Sequence, residues 1–160
     1  VHGLRSEQAE NLLFLAMDLD PDPGRMRLRE AILANDKQAL LALAAPEQIH
    51  ELEAGSIWVL SSTLWDNFPE ERPTVYRMYD QALFGHPDDF ILQSIGGRIY
   101  QNAGRFETAL SCRMVAMGLQ PERVDTRRAL AESLFFTGRM SEAEGAYRAA
   151  LALEPDSQDA

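Results

Sequence analysis

Two stretches, "GRFETALSCRMVAMGLQP" (Gly104–Pro121) and "GRMSEAEGAYRAALALEP" (Gly138–Pro155), start 34 residues apart and share their opening Gly-Arg, two alanines, a leucine and the closing proline. Self-similarity at a fixed period of about 20 to 50 residues marks a repeat array. The segments before them align at the same offset, Phe90–Tyr100 against Val124–Leu134. Gly96, Gly97 and Tyr100 then stand opposite Leu130, Ala131 and Leu134, small or apolar residues on one helix face. Ala109, Arg113 and Ala116 stand opposite Ala143, Tyr147 and Ala150 on a second helix. Alanine recurs there because helices approach closely only where side chains are small. Gly104 and Gly138 supply the left-handed residue that ends a first helix. Pro121 and Pro155 cannot continue the second. Each unit reads as an antiparallel helix pair joined by a glycine turn.

One step back, Ser56–Pro87 keeps the second-helix spacing at Tyr79, Ala82 and Pro87. Its first helix departs, with Ser62, Thr63 and Asp66 at the small or apolar positions and Pro69 and Pro73 in place of the glycine turn. This is a degenerate repeat. Near the start, Ala9, Leu13, Ala16 and Pro21 reproduce the spacing of Ala143, Tyr147, Ala150 and Pro155, the second helix of a further unit. Between them lies a shorter helix pair turning at Asn35-Asp36. The expected helices are 6–18, 23–34, 37–45, 55–67, 72–84, 89–103, 106–118, 123–137 and 140–152, with no strand. The fold class is all-α.

The pattern resembles the tetratricopeptide repeat (TPR), a 34-residue helix-turn-helix unit. The resemblance implies an α-α superhelix in one continuous array: divergent helices over 1–53, a degenerate repeat over 54–88, and repeats over 89–122 and 123–156. A second resemblance runs from about residue 10 to 155. "LLFLAMDLDPDPGRMRLREAI", an alanine- and leucine-rich helix pair and "HPDDF" are similar to the region after the catalytic domain of bacterial serine/threonine protein kinases. The sequence holds no HRD, no DFG and no glycine-rich loop with its lysine. That resemblance implies the non-catalytic part of such a kinase.

Composition narrows the function. A net charge of −10 argues against nucleic acid, whose binding rewards basic patches, and against an anionic membrane surface. The basic residues are fourteen arginines and one lysine, Lys37, which no glycine-rich loop precedes, so lysine-dependent phosphate chemistry is dropped. No apolar run reaches the roughly 18 residues of a membrane span. The first residues lack the n- and h-regions of a signal peptide, and without an initiator Met the chain reads as a segment of a longer protein. One cysteine, Cys112, fits a reducing, cytoplasmic setting.

The candidate chemistry is thin. His86 with Asp88 and Asp89 is better read as a helix end and a cap than as a metal site, which gathers three or four ligands. His50 has no second histidine one turn away. Glu70-Glu71 and Asp88-Asp89 are adjacent and diverge on a helix, unlike the convergent carboxylates of acid/base work. Ser61-Ser62-Thr63 lacks a nucleophile motif. Cys112 falls among packing positions. Gly96-Gly97 lies inside a helix face and reads as close packing. Arg25, Arg27 and Arg29 are expected to spread around their helix as solvation, and one of Arg127-Arg128 to be buried and the other exposed. No catalytic residue, cofactor or metal is expected.

In a TPR array the first helices line a concave groove. The resemblance places there Ile57, Leu60, Leu64 and Phe68, then Ile91, Ser94, Arg98, Gln101 and Asn102, then Asp125, Arg128, Glu132 and Phe135. Part of the apolar set has a second reading, packing on the missing neighbour or under the Pro69–Pro73 turn. The lysine of a TPR carboxylate clamp is missing, so that activity is not carried over. The expected function is a non-catalytic module binding a partner peptide or helix, attached to a kinase. The alternative is a free-standing TPR chaperone or assembly factor. Self-association through the uncapped last helix is the remaining expectation.

Overall fold

The computed structural model describes Asp20 and residues 22–153. The expected helix 6–18, with its register at Ala9, Leu13, Ala16 and Pro21, and the Pro155 stop lie outside them. Among the described residues the chain forms nine α-helices and no strand. They are α1 (Pro23–Leu33), α2 (Lys37–Leu43), α3 (Pro46–Ile49), α4 (Ala54–Asn67), α5 (Arg72–Gly85), α6 (Phe90–Asn102), α7 (Phe106–Leu119), α8 (Val124–Phe136) and α9 (Met140–Leu153). A 3₁₀ turn, Pro69–Glu71, joins α4 to α5. The short α3 is the element the sequence reading ran past. Pro46 starts it at a position where a missing N–H costs nothing.

Three helix ends share one backbone solution. Asn35, Gly104 and Gly138 have φ of 48°, 73° and 77°, the left-handed region. At each, the next N–H donates to the carbonyl five residues back: Asp36 to Ala31 at 2.9 Å, Arg105 to Tyr100 at 2.8 Å and Arg139 to Leu134 at 2.9 Å. These are Schellman caps, with asparagine doing at residue 35 what glycine does in the later units. Asp36 then caps α2 by accepting from the Ala39 N–H at 3.0 Å. Gly138→Ala is expected to cost about 1 kcal/mol, because alanine disfavours positive φ. Asn35→Gly should leave stability equal or higher. Urea unfolding of both variants checks the pair, and an unchanged Gly138→Ala midpoint would sink it.

The chain divides into two compact units, residues up to Ala82 and from Leu83 on. In the first, α1, α2 and α4 pack on one another. Its core includes Leu28, Leu40, Leu43, Ile49, Ile57, Leu60 and Leu64, with Val75, Met78 and Tyr79 from α5. Tyr79 meets the Ser61 hydroxyl at 3.4 Å, and Arg72 lies 4.6 Å over the Trp65 ring. Without a left-handed cap after α4, the turn is held by side chains instead. Lys37 Nζ reaches Glu70 at 2.7 Å and Glu71 at 2.8 Å. The two acids, expected to diverge, are brought together by the Lys37 ammonium, which both reach across the turn.

The expectation that Arg25, Arg27 and Arg29 form no patch holds only for Arg27. Arg25 and Arg29 lie one turn apart and both bind Asp20, at 2.6 Å each. Arg25 also pairs with Glu53 at 2.6 Å. Asp22 caps α1 through the Arg25 N–H at 2.8 Å. Each aspartate of "DPDP" thus has a separate task. Hydrogen bonds from Arg25, then Arg29, hold the Asp20 carboxyl well below the usual carboxylate range. A lowered folded value means the stabilisation is complete above the unfolded pKa, about 3.9. It is lost as pH falls from there toward the folded value. Asp20→Asn is therefore expected to be less stable than the parent at neutral pH, with the gap narrowing below about pH 4. Parallel unfolding curves at all pH values would count against the network.

In the second unit α6 packs on α7, α7 on α8 and α8 on α9. Ala109, Ala116, Ala131, Ala143 and Ala150 are buried at the expected register positions, with Tyr100, Leu110 and Leu134. Asp89 caps α6 through the Leu92 N–H at 2.9 Å, the role expected of the acids in "HPDDF". His50 is exposed at the end of α3. Cys112 is buried, as its packing position requires. No helix among the described residues is long and apolar enough to cross a membrane.

Candidate partner-binding site

The expected groove residues separate cleanly between the units. In the first, Ile57, Leu60 and Leu64 are each 0% exposed and belong to the core. They cannot meet a partner, so that part of the expectation is corrected. The reason is tertiary: α4 packs against α1 and α2, and Ile57, Leu60 and Leu64 fall on its buried face with Ser56 and Ser61. Phe68 is half-buried, with Lys37 Nζ 5.8 Å from its ring centre. The outward residues of α4 include Trp58 and Val59 instead.

In the second unit every expected residue is at least partly accessible. Ile91, Arg98 and Asn102 are exposed on α6, and Ser94 and Gln101 are half-buried. On α8, Asp125, Arg128, Glu132 and Phe135 are all exposed. Asp125 is already engaged: Arg123 holds both its oxygens at 3.0 and 2.7 Å, which lowers its carboxyl pKa. That leaves Arg98 and Gln101 on α6, and Arg128 and Glu132 one turn apart on α8.

A residue outside the expected set ties these helices together. Gly97 has no Cβ, and one built there would lie 2.6 Å from Arg113 Nε and 2.8 Å from its Cδ. The Arg113 stem, rising from α7, therefore occupies the gap the glycine leaves. Close packing was the expected role of Gly97, and what packs there is an arginine stem. Burial lowers the Arg113 pKa; Glu132 on α8 opposes the shift, and Arg98 on α6 adds to it. Arg113 Nε and Gln101 Oε1 are both buried without a hydrogen-bond partner among the described residues.

Most other arginines of this unit are occupied. Arg105 lies 4.6 Å over Tyr100, Arg127 donates to the Pro121 carbonyl at 3.0 Å, and Arg139 and Arg148 pair with Glu142 and Glu144. Arg127 is half-buried and Arg128 exposed, so neither is buried as was expected of one of that pair. Among the described residues, Arg98, Arg113 and Arg128 make no hydrogen bond or ion pair. A chain of net charge −10 thus leaves three arginines unmatched around α6 and α8. The sequence signal for Arg113 was available: at the 34-residue offset its counterparts are Tyr79 and Tyr147.

A separate apolar patch was also missed. Phe106 stacks on Phe136 with ring centres 5.3 Å apart, and Phe135 meets Phe136 edge-on at 5.8 Å. All three are exposed, Phe135 at 52%. On α9, Met140, Tyr147 and Leu151 are exposed as well.

No protein-family model matches the chain, and no curated protein matches its sequence. Solved structures do match. MamA of AMB-1 aligns with a TM-score of 0.64 at 21% identity, covering 99% of this chain and 87% of that one. MamA of MSR-1 gives 0.63 at 22%, covering 98% and 91%. A second AMB-1 form gives 0.64 at 25%, covering 93% and 89%. MamA is a TPR-like helical-repeat protein. This chain has the TPR-like all-α fold.

Proposed function

We propose that the chain is a non-catalytic protein-interaction module that receives a partner peptide or helix on the α6–α8 face of its second unit. The observation that carries this reading is the set of unmatched arginines there, Arg98, Arg113 and Arg128, on an otherwise acid-rich chain. Charges left unpaired on a surface favour a complementary partner and set its orientation. Arg98→Ala combined with Arg128→Glu should reduce partner capture while leaving the thermal melt unchanged, since both side chains are exposed. Capture on the immobilised chain, compared between parent and double variant, tests this. An identical set of captured proteins would remove the face assignment.

The placement after a bacterial serine/threonine kinase domain, in the cytoplasm, rests on the "DPDP" and "HPDDF" resemblance. The tasks of Asp20, Asp22 and Asp89 as ion-pair partner and caps support that motif as structural hardware. The reading frame upstream of Val1 decides it, and absence of a kinase domain there leaves the interaction module standing. A free-standing chaperone fits the same fold, and its apolar surface would be Phe106, Phe135 and Phe136. Self-association would use the exposed face of α9, and a monomer at all concentrations in sedimentation would exclude it.

A further inference from the structure

The proposed function leaves the chemistry of the partner open; the Arg113 site narrows it. We infer that the α6–α8 face binds an acidic segment of a partner protein, one of whose Asp or Glu carboxylates is held by Arg113 with Arg98 beside it. This rests on the interaction reading and specifies its ligand.

Three observations converge. The first is position. Tyr79 and Tyr147 stand one period before and after Arg113, and Tyr79 is fully buried. A tyrosine there fills space and hides its ring. An arginine in the same place brings a charge into a packing position, which costs desolvation unless the charge finds a partner. The second is satisfaction. Arg113 Nε is buried and unpaired, and the guanidinium makes no ion pair among the described residues. Guanidinium groups are planar forks matched to carboxylates, and an incoming carboxylate meets the two terminal nitrogens of Arg113, which are not buried, while Nε stays against Gly97. The third is the sign of the surroundings. Arg98 lies close enough to repel Arg113, and Glu132 is the acid that faces it. Arg98 and Arg113 are thus two cations against that one acid. Attraction of an acidic segment is then local, since the chain as a whole repels it.

Gly97 makes the arrangement possible and supplies a second handle on it. A methyl at residue 97 falls within 3 Å of the Arg113 Nε and Cδ, so Gly97→Ala must push the stem out of its gap.

The test uses the whole chain and two fluorescent probes, a glutamate decapeptide and a glutamine decapeptide, both amidated at the C-terminus. The parent is expected to bind the glutamate probe at low salt and to release it as salt is added. It should not bind the glutamine probe. Arg113→Met keeps the apolar stem and should weaken binding about tenfold or more, the loss of a charge-assisted hydrogen-bonded pair. Arg113→Lys should recover part of the affinity, and Gly97→Ala should weaken binding with Arg113 still present. Arg113→Met should melt no lower than the parent, which separates a ligand role from a structural one. Equal binding of both probes, no binding of either, or indifference to Arg113→Met and Gly97→Ala overturns the inference. So does preference for a neutral peptide with a free C-terminal carboxylate. If natural partners are still captured and lost in the Arg98→Ala, Arg128→Glu variant, the interaction module survives that failure. If nothing is captured, the module reading fails as well.

Discussion

Leu64→Ala is expected to destabilise the chain by about 2–5 kcal/mol, the usual cost of removing a fully enclosed leucine. Leu64 is 0% exposed, as are its neighbours Leu60 and Ile57 one and two turns back along α4. The cost has two parts, the lost transfer of apolar surface and the cavity left among α1, α2 and α4. The effect is large enough to separate two pictures of this helix. A groove-lining leucine, free of the core, could be truncated with a change of a few tenths of a kcal/mol in stability and a loss of binding. Urea unfolding measures the difference directly. A midpoint within error of the parent would return Leu64 to the surface.

Ala116→Trp is expected to lower stability by about 1–3 kcal/mol or more, because an indole cannot enter a contact built around a methyl. Ala116 is 0% exposed on α7. Its counterpart at the 34-residue offset, Ala150, is 2% exposed and should respond in the same direction, less strongly because α9 has a freer outer face. Exposed residues on the same helix supply the control. Met114→Trp, at a position 54% exposed, should melt like the parent. If Ala116→Trp and Met114→Trp melt alike, the repeat register is misplaced.

The elements that were legible from sequence are those whose signal is local. Gly104 and Gly138 announce left-handed turns because few other residues tolerate them, and both turns are found there. Asp89 announces a cap, and Pro121 follows the end of α7. The alanine pairs announce close helix contacts. Asn35 does the work of a glycine, and its turn was read correctly because asparagine also adopts positive φ. The misses have a common cause. Arg25 and Arg29 converge on Asp20, a residue outside their helix that helix periodicity does not place. Glu70 and Glu71 converge on Lys37 across more than thirty residues of chain, a closure that no spacing rule contains.

The apolar stripe of α4 teaches the same lesson about the site. Periodicity places Ile57, Leu60 and Leu64 on one face but does not say whether that face meets a groove or a neighbour. Two other helices of the first unit settled it.

By itself the sequence determined the all-α class, the turns and the register of the small residues, since glycine, alanine and proline act within a few residues of themselves. Only the tertiary structure decided which faces remain open. It placed Ile57, Leu60 and Leu64 inside, left Arg98 and Arg128 outside, and put the Arg113 stem in the gap at Gly97. The physical reason is that burial and charge compensation depend on what arrives from elsewhere in the chain. "GRFETALSCRMVAMGLQP" carries both kinds of information: Gly104 fixes a turn wherever it stands, whereas Arg113 acquires its meaning only from Gly97, Arg98 and Glu132.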